Sequence, residues 1–423
     1  MIEEDIVIVG AGIAGLATSL GLHRMGLKSL VLESWENLRV TGFAFTTFTN
    51  AWKALDALGI GDTLREQHIL LQGLVATSTI SGIPTSHVVY RPSRKFVRHE
   101  IRCVGRKVLL ETLANELPQG TIRFCSKVVS IEEQGHAKLI HLADGSVIKT
   151  KVLIGCDGVN LVVAKWLGLQ EPVFAGRTSI RGHAVFKENE GHCFGPTFLQ
   201  IFGDGCRSGF QPVNQNTIYW FFTHAQSILP RDLIDQNDIF GTEIFFSWIE
   251  TEEADSINTK QYMVMKLGKA PKEVIDIIEK TDPKSIVISP LRFRWPSSIL
   301  FGSISKANVC VAGDALHPMT PDIGQGANAA LEDGVVLARC LSQALLLKAT
   351  DETAEYNNIN TGLAKYAKER RWRSFELAST SYIVGVLQQG SMFIKFIRDK
   401  FLSPYLAGML LKRAEFDCGK LDT

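Results

Sequence analysis

The feature that most constrains this chain lies within its first 33 residues. Gly10-Ala11-Gly12-Ile13-Ala14-Gly15 follows the short β-branched run 6–9 and opens a stretch, residues 14–25, with helical spacing that stops at Gly26. Residues 29–32 form a second apolar run and end at Glu33. Strand, glycine turn, helix and strand make a βαβ unit, and strands buried on both faces read as continuous apolar runs. Gly10 permits the tight turn, Gly12 lets the backbone approach a pyrophosphate, and Gly15 lets the helix pack closely on the strand. The helix start then offers unpaired N–H groups and the positive end of its dipole to phosphates. Glu33, 18 residues after Gly15, can accept hydrogen bonds from both hydroxyls of a ribose. The same acid disfavours a 2′-phosphate, so these residues leave FAD and NAD open and disfavour NADP in this pocket.

Further along, the pattern predicts helices at 50–58 and 106–117, strands at 122–129 and 138–142, an Asp144-Gly145 turn and a buried strand at 152–156. Between 173 and 287 the texture becomes rich in Phe, Trp and Gly, as in LQIFGDGCRSGFQPV and NTIYWFFTHA, which suggests a mixed or antiparallel sheet with a helix at 272–281. A parallel-type strand returns at 309–312, followed by a long helix at 327–347 and a helical remainder from 353 to 416. Parallel-type strands on both sides of an aromatic insertion imply a discontinuous nucleotide-binding domain at 1–70, 98–172 and 288–345. The substrate domain is then 71–97 and 173–287, and 346–423 is a C-terminal helical segment.

Composition narrows the partners. The net charge is +1 over 423 residues, so no bulk field draws the chain to nucleic acid. Eight scattered cysteines without a C-x-x-C pair, and ten histidines without ligand spacing, argue against a zinc site, a disulfide framework or any other metal centre. The opening MIEEDIVIVG lacks the basic and then apolar regions of a secretory leader, and no run reaches the ~18 apolar residues of a spanning helix. A cytoplasmic setting is expected. Residues 393–411 mix Phe, Ile and Leu with Lys395, Arg398 and Lys400, and Pro404 interrupts them. They read either as a helix docked on the protein or as a peripheral membrane contact.

Two more motifs choose between the dinucleotides. Gly155-Cys156-Asp157-Gly158 follows one strand, and Gly313-Asp314-Ala315-Leu316-His317-Pro318-Met319-Thr320-Pro321-Asp322-Ile323-Gly324-Gln325-Gly326-Ala327-Asn328 links another to the long helix. With the first motif, these resemble the class A flavoprotein monooxygenases, the aromatic-hydroxylase family with a single Rossmann domain. The likeness is greatest to plant salicylate-hydroxylase-like and zeaxanthin-epoxidase-like members. It runs from about residue 5 to about residue 375 and is weakest between 173 and 287.

The resemblance implies an α/β fold. Its Rossmann-like FAD-binding domain is of the glutathione-reductase type, as in p-hydroxybenzoate hydroxylase, with an inserted mixed-sheet substrate domain and a C-terminal helical segment. It implies FAD as cofactor and NAD(P)H as co-substrate. No second G-x-G-x-x-G follows a strand, so no separate Rossmann domain is expected for NAD(P)H.

The cofactor residues follow from the same likeness. Gly10, Gly12, Ala14, Gly15, Glu33 and Ser34 hold the adenosine half, with Val128 and Val129 pairing adenine through their backbone. Arg106, and Arg102 four residues before it, meet the ribityl and phosphate part, where Asp157 and Gly158 close over the phosphates. The family has Ser and Arg a few residues after that Asp-Gly pair, whereas Leu161 and Ala164 stand here. Thr41 and Gly42 lie in the loop 39–44 beneath the isoalloxazine. Gly313 and Asp314 take the ribityl chain, and Pro321 lies beside the reactive flavin face. The N–H groups of Gly324, Gln325, Gly326, Ala327 and Asn328 stabilise negative charge at flavin N1 and C2=O. No side-chain nucleophile is required, and His317 is expected to pack its loop.

The activity so implied is oxygenation: NAD(P)H reduces the flavin, O₂ adds at C4a, and one oxygen hydroxylates or epoxidises a small aromatic or other unsaturated substrate. A reductase or dehydrogenase on the same fold, and a flavin-binding protein without turnover, are the alternatives. The run 219–222 (Tyr-Trp-Phe-Phe) can fill a sheet core or face a substrate, and Phe210 and Gln211 can reach the same cavity.

Overall fold

The computed structural model describes residues 2–39, 43–79, 84–90, 99–159, 162–187, 191–192, 194–203, 205–225, 254–389 and 411–421. The chain begins β1 (Ile2–Val9), α1 (Ile13–Arg24), β2 (Leu30–Leu32), β3 (Ala44–Thr47), α2 (Thr49–Ala57), α3 (Gly61–Gln67), β4 (Gly73–Ser78) and β5 (Pro84–Val89). It continues β6 (Arg102–Gly105), α4 (Arg106–Asn115), β7 (Ile122–Arg123), β8 (Val128–Gln134), β9 (Ala137–Leu142), β10 (Val147–Gly155) and α5 (Val162–Trp166). Then come β11 (Val173–Val185), β12 (Thr197–Phe202), β13 (Cys206–Asn214), β14 (Thr217–Ala225), α6 (Ala254–Leu267) and α7 (Lys272–Lys280). The last elements are β15 (Val287–Phe293), α8 (Pro296–Phe301), β16 (Ser305–Lys306), β17 (Val309–Val311), α9 (Gly326–Leu345) and α10 (Glu352–Gln389).

One sheet has the order β16-β17-β10-β1-β2-β7, with β9 and β8 continuing from β10. Its centre is parallel: β10, β1 and β2 run together, as do β10 and β17. Ile6, Val7, Ile8, Val152, Leu153, Ile154, Val309 and Cys310 are each no more than 2% exposed, as strands covered on both faces must be. Helices α1 and α9 lie against each other through small residues. A Cβ on Gly21 would come within 2.7 Å of Ala338 Cβ, and one on Gly334 equally close to Ala17 Cβ. Contacts 17–334 and 21–338 advance together, so the two helices run in the same sense and start on the same side of the sheet. Ile13 is then level with residue 330, and the start of α9 projects four residues, roughly 6 Å, beyond that of α1.

The second sheet has the order β15-β11-β14-β13-β12-β4-β5 and is antiparallel except for β4 beside β12. Ile180, Phe210, Trp220 and Phe222 face a core completed by Met263, Leu267, Val274, Ile277 and Ile278 of α6 and α7. Trp220 anchors there, its indole N–H donating to Thr281 Oγ1 at 2.8 Å.

Three local outcomes differ from the sequence pattern. The strand expected at 122–129 is two strands, because the chain turns at Cys125 (φ 53°), whose N–H donates to Trp35 O while Ser126 N–H donates to Glu33 O. Helix α6 carried no clear apolar signal. Strand β15 joins the second sheet beside β11, past residue 287 where the aromatic segment was expected to end. Of the stretch 393–411, only Leu411 falls within the described residues. Among the described residues no helix is long and apolar enough to cross a membrane.

Candidate active site

Four neighbouring strands of the first sheet end in register. Val311 pairs with Gly155, Gly155 with Val9, and Val9 with Leu32. The pairing extends one step further, with Ala312 N–H donating to Gly155 O (2.9 Å), Cys156 N–H to Val9 O (2.8 Å) and Gly10 N–H to Leu32 O (2.8 Å). The segments beginning at Gly313, Asp157, Gly10 and Glu33 therefore leave the sheet side by side. Three strand spacings of about 4.8 Å give a row ~14 Å long. Such a row at the carboxyl ends of parallel strands is where open α/β sheets bind their ligands.

A cleft of about 610 Å³ lies along this row, lined by Gly10, Gly12, Glu33, Ser34, Arg106, Val128, Asp157 and Gly158 among others. Glu33 is 7% exposed and already organises the glycine turn. Its Oε2 accepts from Ala11 N–H at 2.9 Å, and its Oε1 accepts from Trp35 N–H at 3.1 Å and Ser34 Oγ at 3.2 Å. Gly10 sits at φ 104°, and a Cβ there would lie 2.4 Å from Cys156 O. Helix α1 begins after Gly12 with no side chain bonded to its first turn, so its free N–H groups open onto the cleft. A Cβ on Gly12 would meet nothing within 4 Å.

Two buried polar atoms beside the cleft have no partner: Arg106 Nε and Asp157 Oδ1. Burial pulls the Arg106 guanidinium down from its usual value, against the pull of Asp314. Burial likewise pushes the Asp157 carboxyl up, opposed by backbone N–H groups including Val163 N–H, which donates to its Oδ2 at 3.2 Å.

The long third motif lies on the other side of the row. A Cβ on Gly313 would come within 2.7 Å of Ala14 Cβ, so Ala14 seats this loop against α1. Asp333 of α9 holds the loop from beneath, accepting from Gly313 N–H at 2.8 Å and lying 2.7 Å from His317 Nε2. His317 is fully buried and packs the loop. Arg294, also fully buried, donates through Nη1 to Ala315 O (2.6 Å) and Leu316 O (2.7 Å), and its backbone N–H donates to Pro318 O (3.0 Å). Asp322 ties the loop to the second sheet through a bidentate pair with Arg177 (2.7 and 2.5 Å), and its carbonyl accepts from Arg207 Nη1 at 2.9 Å. Helix α9 then starts after Gln325, again with no side-chain cap. Asn328 aligns this start, donating to Thr46 O and Gly324 O and accepting from Phe48 N–H.

A family model described as an FAD binding domain matches residues 3–226 and 294–374. Monooxygenase 2 of Arabidopsis thaliana is 49% identical, over 99% of this chain and 98% of its own length. The chain belongs to the class A FAD-dependent monooxygenases. Monooxygenase 1 of the same plant is 37% identical over the full length of both chains. Among solved structures, Klebsiella pneumoniae HpxO complexed with FAD and uric acid superposes with a TM-score of 0.77 at 22% identity, over 99% of this chain and 98% of that one. That likeness is one of fold.

The residues present fit the FAD of this monooxygenase family: two helix starts without caps, a cation and a carboxylate each with one buried atom that lacks a partner, and open space at Gly12. The structure does not gather every residue that the sequence singles out. Arg102 stays away from the cleft. Its Nε donates to Glu100 at 3.0 Å, its Nη1 bonds Arg65 O and His68 O, and its guanidinium lies 5.5 Å from the Trp52 ring. The four-residue spacing to Arg106 misleads because Arg102 is on β6, and the helix begins only after the extended Gly105. Val128 lines the cleft, while Val129 is half exposed and does not. Gly313, Asp314, Pro321 and residues 324–328 are outside the lining and flank it through Gly313 and Ala14. Thr41, Gly42 and Leu161 lie outside the described residues, and Ala164 packs in the core.

Strand alternation settles the aromatic run. Trp220 and Phe222 fill the sheet–helix core with Phe210. Tyr219 and Phe221 point the other way and cluster with Phe43, Ala44, Cys103 and Val213. Gln211 joins that face, accepting from Thr46 Oγ1 at 2.9 Å. His183 stacks flat on Phe43, with ring centroids 3.4 Å apart. Sequence reasoning missed Arg294, Asp322 and Asp333 as loop-holding residues. The only available signal was their placement in or near the motif.

The contrast between glycines yields a prediction. Gly12→Ala has room and an ordinary φ of −78°, so the variant should melt within about 1 °C of the parent. It should bind FAD at least ~10-fold more weakly, because the new methyl occupies space that the backbone opens to the pyrophosphate. Flavin fluorescence on dilution measures the loss, and unchanged affinity would place the cofactor elsewhere.

Proposed function

We propose that this chain is an NAD(P)H-dependent FAD monooxygenase acting on a small aromatic or other unsaturated substrate. The observation that carries the reading is the row of four strand ends in register, flanked by two helix starts on the same side. Bound FAD would supply the redox chemistry, taking reducing equivalents from NAD(P)H and activating O₂. The protein's own groups bind and orient. Glu33 takes the ribose hydroxyls, the free N–H groups of α1 and Arg106 take the phosphates, and Asp314 takes the ribityl hydroxyls. The N–H groups that open α9 hold the negative charge of the reduced ring.

The substrate is read as lying between this ring and the second sheet. Phe43, Ala44, Val213 and Phe221 form apolar walls that exclude water. Burial pushes the Tyr219 hydroxyl up to about 12, so near neutral pH it keeps its proton and is available to donate a hydrogen bond to a substrate. Burial also lowers His183, which favours a neutral ring. Arg181, with a hydrogen bond from Nη2 to Ser289 Oγ, supplies a positive charge on this face.

The test is direct. The purified protein should be yellow, and a panel of aromatic compounds should contain some that accelerate oxidation of NADPH or NADH. With an accepted compound, each oxygenated product should consume one O₂ and one reduced nicotinamide. Turnover that persists without O₂ would instead identify a reductase or dehydrogenase.

A further inference from the structure

The described C-terminal stretch, residues 411–421, is joined to both flavin-facing loops by a buried chain of polar groups. We infer that Asn50 is the positioning residue that carries this join to the helix start beneath the flavin, an inference that rests on the flavin site proposed above.

Asn50 is fully buried near the start of α2. Its backbone N–H donates to Ala414 O at 2.9 Å. Its side-chain amide donates to Gln325 Oε1 at 2.9 Å and to Glu332 Oε1 at 2.5 Å. One residue thus grips the C-terminal stretch with its backbone and the first residue of the α9 cap with its side chain. Glu332 also accepts from Arg373 Nη2 at 2.8 Å, and the same nitrogen serves the tail, donating to Arg413 O at 2.8 Å. Arg370 Nη1 lies 2.8 Å from Glu332 Oε2, and Arg370 Nε donates to Asp333 Oδ1 at 2.5 Å. Asp333 is the residue that holds Gly313 and His317. Phe416 of the tail closes the assembly, its ring 5.2 Å from the Arg370 guanidinium and 4.7 Å from that of Arg373.

Two routes therefore lead from the tail to the cofactor loops. One passes through Asn50 to Gln325, and the other through Phe416 and Arg370 to Asp333 and Gly313. The two arginines balance the two carboxylates, so no net charge is buried. Both amide protons of Asn50 are in use, and the side chain is fully buried. Removing them leaves Gln325 Oε1 without its donor and Glu332 one donor short, and buried acceptors do not stay in place unpaired. The N–H groups after Gln325 then lose their fixed aim.

The experiment uses the holoprotein with Asn50→Ala and, remote from the flavin, Phe416→Leu. Asn50→Ala should raise the FAD dissociation constant about 10-fold and lower the flavin midpoint potential, because the anionic reduced form loses aligned donors. Phe416→Leu should move both quantities the same way by about threefold in affinity, and Asn50→Ser, which keeps one donor, should fall between Asn50→Ala and the parent. A purely structural role would lower the melting temperature and leave affinity and potential alone. If a folded variant at either position keeps FAD affinity within about twofold and an unchanged potential, the inference is overturned. If Asn50→Ala cannot be recovered, Phe416→Leu decides alone. A parent protein that refuses FAD would overturn the flavin reading itself.

Discussion

Gly15→Ala is expected to abolish FAD binding and to destabilise the fold, unlike Gly12→Ala three residues earlier. A Cβ on Gly15 would lie 1.9 Å from Gly10 O and 3.4 Å from Cys156 Cβ. The nearest atom is backbone, and it belongs to the turn proposed to receive the pyrophosphate. Relief requires either that α1 lift from β1 or that Gly10 leave its φ of 104°. Lifting α1 also separates it from α9, since Ala17 and Gly21 are in close contact with Gly334 and Ala338. Overpacking of this kind costs about 1–3 kcal/mol where side chains can give way, and a backbone clash belongs at or above the upper end. A melt of several degrees below the parent should accompany loss of absorbance near 450 nm. The pair of variants separates two roles of one motif: Gly12 serves the ligand, Gly15 serves the packing. Equal melting of the two variants would show that the helix has more freedom here than the contacts allow.

The parts of this molecule that were legible in the sequence share a cause. Each of the three motifs is a short contiguous stretch where the backbone itself needs particular residues. The glycines at 10, 12 and 15, the acid at 33 and the run 313–328 can therefore be read without knowing what lies opposite them. Strands β1, β2, β10 and β17 were equally plain because burial on both faces leaves an apolar run. What failed depended on neighbours distant in sequence. Arg102 was placed with Arg106 on spacing alone, and only the pairing of β6 with β3 and the pull of Glu100 decide otherwise. The break between β7 and β8 follows from bonds to Trp35 and Glu33, about 90 residues away. The clamp of Asp322 by Arg177 spans 145 positions. The sequence left residues 219–222 free either to fill a sheet core or to face a substrate, and α6 and α7 decide by covering Trp220 and Phe222, which leaves Tyr219 and Phe221 on the other face.

Arg370→Gln should be the most destabilising single change in the α9–α10 interface, and its cost should depend on pH. Arg370 is fully buried and neutralises Glu332 and Asp333, which are fully buried as well. Burial alone would raise the Asp333 carboxyl, but Arg370 and His317 outweigh it and hold it at about 2, against an ordinary 3.8. For Glu332 burial is likewise outweighed, by Arg370 and Arg373, and the carboxyl sits below its ordinary 4.5. Carboxylates depressed in the folded state stabilise it above their unfolded values. In the parent that contribution is complete above about pH 4.5 and is lost as pH falls toward 2. Without the guanidinium, burial of Asp333 is opposed only by His317 and the Gly313 N–H, so its folded value should rise and the stabilising contribution at neutral pH should shrink. Taking one arginine from a buried pair costs about 3–5 kcal/mol at neutral pH, and protonation of the carboxylate relieves that cost. Urea unfolding at pH 7 should therefore show the full deficit, and at pH 4 a clearly smaller one. Loss of the Asp333 anchor on Gly313 and His317 should also weaken FAD retention at pH 7. A deficit that is the same at both pH values would mean that Arg370 acts by packing and not as the counter-ion of Glu332 and Asp333.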